Sequence, residues 1–241
     1  MRDPIILINF LGVYLYTVVN NQTKEKSSPK KKGRLRDREA TKAEILDAAE
    51  EEFGKYGLAG AKIDAIAART GVTKAMIYYY FKSKGVLYQE VFQRLVSELN
   101  QMIQQSHLEQ LPAEVALKMV ISSAIAYEAS HPYRGRLWFH EAIQNQGKYG
   151  KLTGWQNSFV FLMGILERGI AEGSFRQIDP FLTTINILGI CVFYFDAQEN
   201  LNYLRPDRQL LSQEMIEKQT QEVINLVLSG VLLYSENSSK V

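Results

Sequence analysis

The chain of 241 residues is 46% hydrophobic and 22% charged, with 16 Gly and 6 Pro, a globular composition that excludes wholesale disorder and low-complexity repeats. Its net charge of +2 conceals an uneven distribution: residues 1–84 carry 16 Lys and Arg against 10 Asp and Glu, net +6, whereas residues 85–241 carry 12 against 16, net −4. A polyanionic partner is therefore expected at the front of the chain.

Residues 5–19 are apolar apart from Asn9 and Thr17, too short a run for the ~20 residues of a spanning helix. A secretory signal is excluded by Asp3 offsetting Arg2 and by the missing small-residue cleavage pattern. A membrane-associating segment, an extra packed helix or strand, and an extension outside the functional domain all remain open. Residues 20–38 lack apolar periodicity and carry eight Lys and Arg against Glu25 and Asp37, which reads as a solvated linker or basic arm. Such an arm either serves as a soluble tail or adds phosphate or minor-groove contacts.

Helical periodicity begins at Thr41. Ile45, Ala48, Ala49 and Phe53 fall at i, i+3, i+4 and i+8, with Thr41 and Glu44 as a capping box and Gly57 as the stop. The run Glu50-Glu51-Glu52 is expected on the solvated side. A second short helix places Ile63, Ile66 and Ala67 inward and ends at Gly71; Thr73 caps a third, Lys74–Phe81. Three short helices joined through Thr70-Gly71-Val72-Thr73 form a helix-turn-helix, with glycine permitting the tight turn and Val72 plugging the core. The third helix would enter a major groove by its N-terminus, with Ile77 and Phe81 in the core.

Beyond Lys84 the helices lengthen. Leu87, Val91, Leu95 and Leu99 mark one to about Gln105, and further helices are expected over 112–130, 132–145, 155–171, 180–200 and 212–234. No hairpin pattern is present. The chain reads as all-α, with about nine helices after an extension and basic arm at 1–40: a helix-turn-helix unit opening at Thr41, then the longer helices.

The segments TKAEILDAAEEEFGKYG and IDAIAARTGVTKAMIYYYFKSKGVLYQEVF resemble the DNA-binding domain of TetR/AcrR-type transcriptional regulators, over about residues 41–92. The matching positions are Ile45-Leu46, Ala48-Ala49, Phe53, Tyr56-Gly57, Ile66-Ala67, Gly71-Val72, Tyr78, Phe81 and Lys84. The resemblance implies base or phosphate contacts at Thr73, Lys74, Ala75, Met76, Tyr78, Tyr79, Tyr80 and Lys84. Two positions depart from the family pattern. Ala61 stands where a Thr or Ser usually caps the second helix, leaving Lys62 to supply that phosphate contact, and Tyr80 replaces a commoner His.

The resemblance also implies an effector-binding and dimerisation domain after the match. Residues 181–198 and 223–234 carry more apolar surface than one buried face requires, and are assigned to a homodimer interface. Aromatic and polar residues of the middle helices are the candidates for an effector pocket: Tyr127, Trp138, Phe139, His140, Glu141, Asn145, Trp155, Phe159, Met163, Phe193 and Tyr194. For the adjacent His140 and Glu141 a surface salt bridge is the simpler account. The effector expected is a small apolar or aromatic molecule.

Catalysis finds no support, because no glycine-rich phosphate loop, Gly-x-Ser-x-Gly or His-Glu-x-x-His is present. His107, His131, His140 and the single Cys191 lack ligand spacing, so neither metal nor cofactor is expected. Cys191, beside Val192 and Phe193, reads as a buried thiol of a reducing compartment, here the cytoplasm. The function expected is a ligand-responsive regulator, most simply a repressor, that binds double-stranded, near-palindromic operator DNA as a dimer. The alternative is a membrane-associated or structural helical protein using residues 5–19, although no stable membrane association is expected.

Overall fold

A computed structural model describes residues 33–233. The apolar run 5–19, most of the lysine-rich stretch and Tyr234 lie outside the described residues. Ten α-helices follow in order: α1 Gly33–Gly60, α2 Ile63–Thr70, α3 Lys74–Phe81, α4 Lys84–Ser106, α5 Ala113–Ser130, α6 Arg134–Asn145, α7 Gln156–Ala171, α8 Pro180–Asp196, α9 Gln198–Leu204 and α10 Gln213–Val231. Among the described residues the only β feature is an isolated bridge between Phe175 and Leu232. The chain divides into two units at Lys42; the first contributes only the opening of α1 to the described residues, and the second begins at Ala43.

Besides Gly57, where α1 kinks with non-helical φ/ψ and continues to Gly60 instead of stopping, three boundaries differ from the sequence reading. Helix α1 starts at Gly33, so Thr41 lies inside it and is not its N-cap, and residues 33–38 are helical rather than linker. Between Arg34 and Lys42 the chain has neither Pro nor Gly and is rich in good helix formers, so the helix extends upstream without an apolar stripe to announce it. Second, the expected helix at 180–200 divides at Ala197 into α8 and α9, bent by 67°, which raises the count from about nine to ten among the described residues. Third, the final helix ends at Val231, where Leu232 turns away to bridge Phe175.

Side chains gather in two cores. The first joins Ile45, Ala49 and Phe53 of α1, Ile66 of α2, Ile77 and Phe81 of α3, and Leu87, Tyr88, Val91, Phe92 and Leu95 of α4; Leu137 of α6 completes it. The second is built by α5, α7, α8 and α10 around Leu117, Ile121, Ile125, Leu166, Ile187, Cys191 and Val227. Each large apolar side chain fully buried in such a core contributes about 1.5–3 kcal/mol. Helix α4 runs out of the first core, where Leu87, Val91 and Leu95 line its inner stripe. Among the described residues no single helix is long and apolar enough to cross a membrane.

Candidate nucleic-acid interface

The turn between α2 and α3 is set by Gly71, whose φ of 71° lies in the left-handed region that glycine enters without steric cost. Its N–H bonds the carbonyl of Ala67 and closes α2. Two residues on, the Thr73 hydroxyl accepts from the N–H of Met76 at 3.2 Å and opens α3. Ile77 and Phe81, 1% and 0% exposed, anchor the helix from behind. What remains outward is Lys74, Ala75, Met76, Tyr78 and Tyr79, with Tyr79 69% exposed. Tyr78 also faces outward, at 44%. Tyr80 is half-buried, edge-on to Tyr79 at 5.5 Å and tilted against Phe81 at 6.2 Å.

Two basic candidates have partners within the protein. Lys74 Nζ lies 2.7 Å from Asp64 of α2, a bond that holds its pKa above the usual lysine value. Lys84 Nζ donates to the carbonyl of Ala59 at 3.1 Å, tying α4 to the end of α1. Both pairs are accessible, so each ammonium retains capacity for a phosphate oxygen. Lys62 is exposed at the start of α2.

The structure places the N-cap of α2 at Lys62 rather than at Ala61, and the Lys62 side chain makes no capping bond; that end of the helix is held from α1 instead. Buried Glu52 of α1 accepts the Lys62 backbone N–H at 2.9 Å and places a negative charge on the N-terminus of α2. The glutamate run is thus no solvated face. Glu51 pairs with Lys55 and Arg69, and Glu50 is held by Arg94 and Arg134, at 2.7 and 2.9 Å. Position 52 stands four residues after Ala48 and three after Ala49, which places it beside the inner stripe; that spacing was the available signal. For Arg94 and Arg134 no sequence signal existed, because Arg134 lies 84 positions from Glu50.

Among the pocket candidates, Tyr127 is buried with its hydroxyl accepting from Arg134 at 2.6 Å and its ring 4.6 Å from that of His131. Trp138, Glu141, Asn145 and Trp155 cluster at the contact of α6 with α4. There Trp138 is edge-on to Phe92 at 4.7 Å and to Trp155 at 5.7 Å. Glu141 is buried and forms no surface salt bridge with His140. Its carboxylate accepts from the N–H groups of Tyr149 and Gly150 and from the Asn145 amide, holding the turn after α6, where backbone donors need an acceptor. His140 lies beside Gln144 at 2.8 Å. Phe159 contacts Phe181 at 5.3 Å, Tyr194 donates to the Leu210 carbonyl, Met163 is half-buried, and Phe139 and Phe193 are exposed. The candidates therefore fall into several separate groups.

Helix α8 is apolar on two sides. Thr184, Ile187, Cys191 and Phe195 face the second core, while Phe181, Leu182, Ile185 and Phe193 are exposed, as is Leu226 of α10.

Two family models match the chain: bacterial regulatory proteins of the tetR family over residues 45–91, and the tetracyclin repressor-like C-terminal domain over residues 112–227. The HTH-type transcriptional repressor SCO4008 of Streptomyces coelicolor is 37% identical over 110 residues, which cover 45% of this chain and only 53% of that repressor. The HTH-type transcriptional repressor NicS of Pseudomonas putida is 29% identical over 178 residues, 70% of this chain and 82% of its own. The crystal structure of HlyIIR, a hemolysin II transcriptional regulator, is similar with a TM-score of 0.62 and 26% identity, covering 82% of this chain and 99% of that one.

Proposed function

Since the chain belongs to the TetR family of bacterial transcriptional regulators, we propose that it is a repressor that binds a near-palindromic operator as a homodimer and releases it when a small molecule occupies its C-terminal helices. The observation that carries this reading is the outward face of α3. A helix anchored by Ile77 and Phe81 presents Lys74, Ala75, Met76, Tyr78 and Tyr79 together, a width suited to a major groove. Thr73, Tyr80, Lys62 and Lys84 flank it as phosphate contacts, consistent with the net +6 of residues 1–84.

In this reading residues 41–92 bind DNA, residues 93–241 bind the effector and the second subunit, and residues 1–40 add a basic arm. The dimer forms through 181–198 and 223–234, where α8 shows its second apolar stripe. The effector is an apolar or aromatic molecule, in keeping with the half-buried Phe159, Met163 and Tyr194 at α7 and α8. If it prefers the conformation that binds DNA less well, it must weaken DNA binding by the same coupling energy, typically ~1–3 kcal/mol.

The test is selection of duplexes from a random pool followed by fluorescence anisotropy at two salt concentrations. Saturable, competitor-resistant binding of two chains per palindromic site is expected. Binding that is weak, independent of sequence and erased by salt would remove the sequence-specific reading.

A further inference from the structure

Helix α6 meets α1 along a single stripe. Glu50, Gly54 and Gly57 stand at i, i+4 and i+7 on α1, and against them lie Arg134, Tyr133 and Gln144. The two glycines permit an approach that no side chain would allow. A Cβ at Gly54 would sit 2.6 Å from the Tyr133 Cβ and 2.8 Å from its carbonyl oxygen, and one at Gly57 would overlap the Gln144 amide. Gly57 itself has φ 66° and ψ 179°, a conformation open essentially to glycine alone, and α1 kinks there.

At one end of this stripe is Arg134, whose side chain is 5% exposed. Its guanidinium donates from Nε to one Glu50 oxygen at 2.9 Å and from Nη2 to the other at 3.3 Å, a two-point grip on α1. Nη1 reaches Glu98 of α4 and the Tyr127 hydroxyl of α5, each at 2.6 Å. One side chain thus joins α1, α4, α5 and α6. A buried ion pair is a poor means of gaining stability over apolar packing, but it satisfies its bonds in one arrangement only. The next residue, Gly135, faces the other way: a Cβ there would lie 2.8 Å from Glu128 of α5 and 2.9 Å from Asp196 at the end of α8. Helix α6 is therefore seated between the DNA-binding helices and α8.

We propose that α6 is the clamp that sets the position of the DNA-binding helices on the C-terminal helices, with Arg134 as the positioning residue that holds Glu50. The proposal rests on the regulator reading and extends it.

Single-molecule energy transfer between dyes at Ala68→Cys on exposed α2 and Glu167→Cys on exposed α7 reads this position within one protomer; the native Cys191 is buried. The unsubstituted clamp should give one narrow distance. Arg134→Met and Glu50→Gln should each broaden or shift it and weaken operator binding at least tenfold, while Glu199→Gln, which removes the exposed ion pair of the neighbouring Arg136 outside the clamp, should change affinity less than threefold. Glu50→Gln keeps the side-chain volume, so it preserves the test if Arg134→Met fails to fold. A lower melting temperature with unchanged distance and affinity would mean a merely structural bond and would overturn the clamp, as would a changed distance with unchanged affinity. Should the parent protein select no duplex at all, the regulator reading fails, while the distances still decide whether α6 positions the head.

Discussion

At position 52 a buried glutamate of α1 accepts the N–H of Lys62, the N-cap of α2, whose own side chain makes no capping bond. The cap of α2 is thus supplied by α1 and not by the helix's own first turn, so that local structure depends on a contact spanning 10 residues. Glu52→Ala should leave the Lys62 N–H without its acceptor and destabilise the protein by about 1–2 kcal/mol. Glu52→Gln, which retains an accepting oxygen, should lose less than half as much; urea titrations of both variants measure the difference. The outward residues of α3 separate by role. Lys84→Ala should weaken binding to every duplex and reduce the salt slope by about one unit, because an ammonium contributes charge and no base edge. Tyr79→Ala and Lys74→Ala should change the ranking among operators. Competition titrations against single-base operator variants distinguish the two patterns, and equal losses on all duplexes for all three would remove base reading from α3.

The elements differ in how legible they were. Helix α3 could be bounded to the residue because its signals are local: a threonine cap, a glycine before it and two apolar anchors one turn apart. The start of α1 could not, since a polar segment rich in good helix formers carries neither stripe nor stop. The division of α8 from α9 at Ala197 has no Gly or Pro to mark it. Contacts that hold the DNA-binding helices in place were hidden for a different reason: Glu50 and Arg134 are ordinary surface residue types until the fold buries them together. The same concealment applies to Glu128 of α5 and Asp196 of α8, both beside Gly135. Burial, and for Glu128 the neighbouring Asp196, push these carboxyls up to about 8 and about 6; Arg134 and Arg136 offset this only in part. The folded state therefore favours their neutral forms. Their contribution is fully present below the ordinary carboxylate pKa of ~4 and is lost as pH rises through about 6 and then about 8. The urea midpoint should fall between pH 5.5 and 8.5, and Glu128→Gln should flatten the fall and be more stable than the parent at pH 8.5. Parallel curves for the two proteins would show that Glu128 does not titrate in this range.

At the scale of the whole molecule, the proposed dimer places the exposed face of α8 in control of how the DNA-binding helices are used. A helix apolar on two sides must bury both. Ile187, Cys191 and Phe195 bury one side internally, and Phe181, Leu182, Ile185 and Phe193 are exposed and form the surface proposed for the second subunit. In a two-fold dimer each of these positions occurs twice in the interface, so a charge introduced at one residue is introduced twice. Ile185→Glu and Phe193→Glu should each therefore cost about 3 kcal/mol or more, over a hundredfold in dimer dissociation constant. Sedimentation equilibrium at micromolar concentration should find monomers whose circular dichroism is unchanged, because neither side chain belongs to a core. Such monomers keep an intact α3 and should occupy single half-sites, with affinity for the full operator reduced at least a hundredfold. Variants that stay dimeric would place the interface elsewhere. Monomers that hold the full operator as tightly as the parent would show that paired reading of two grooves is not the source of its affinity.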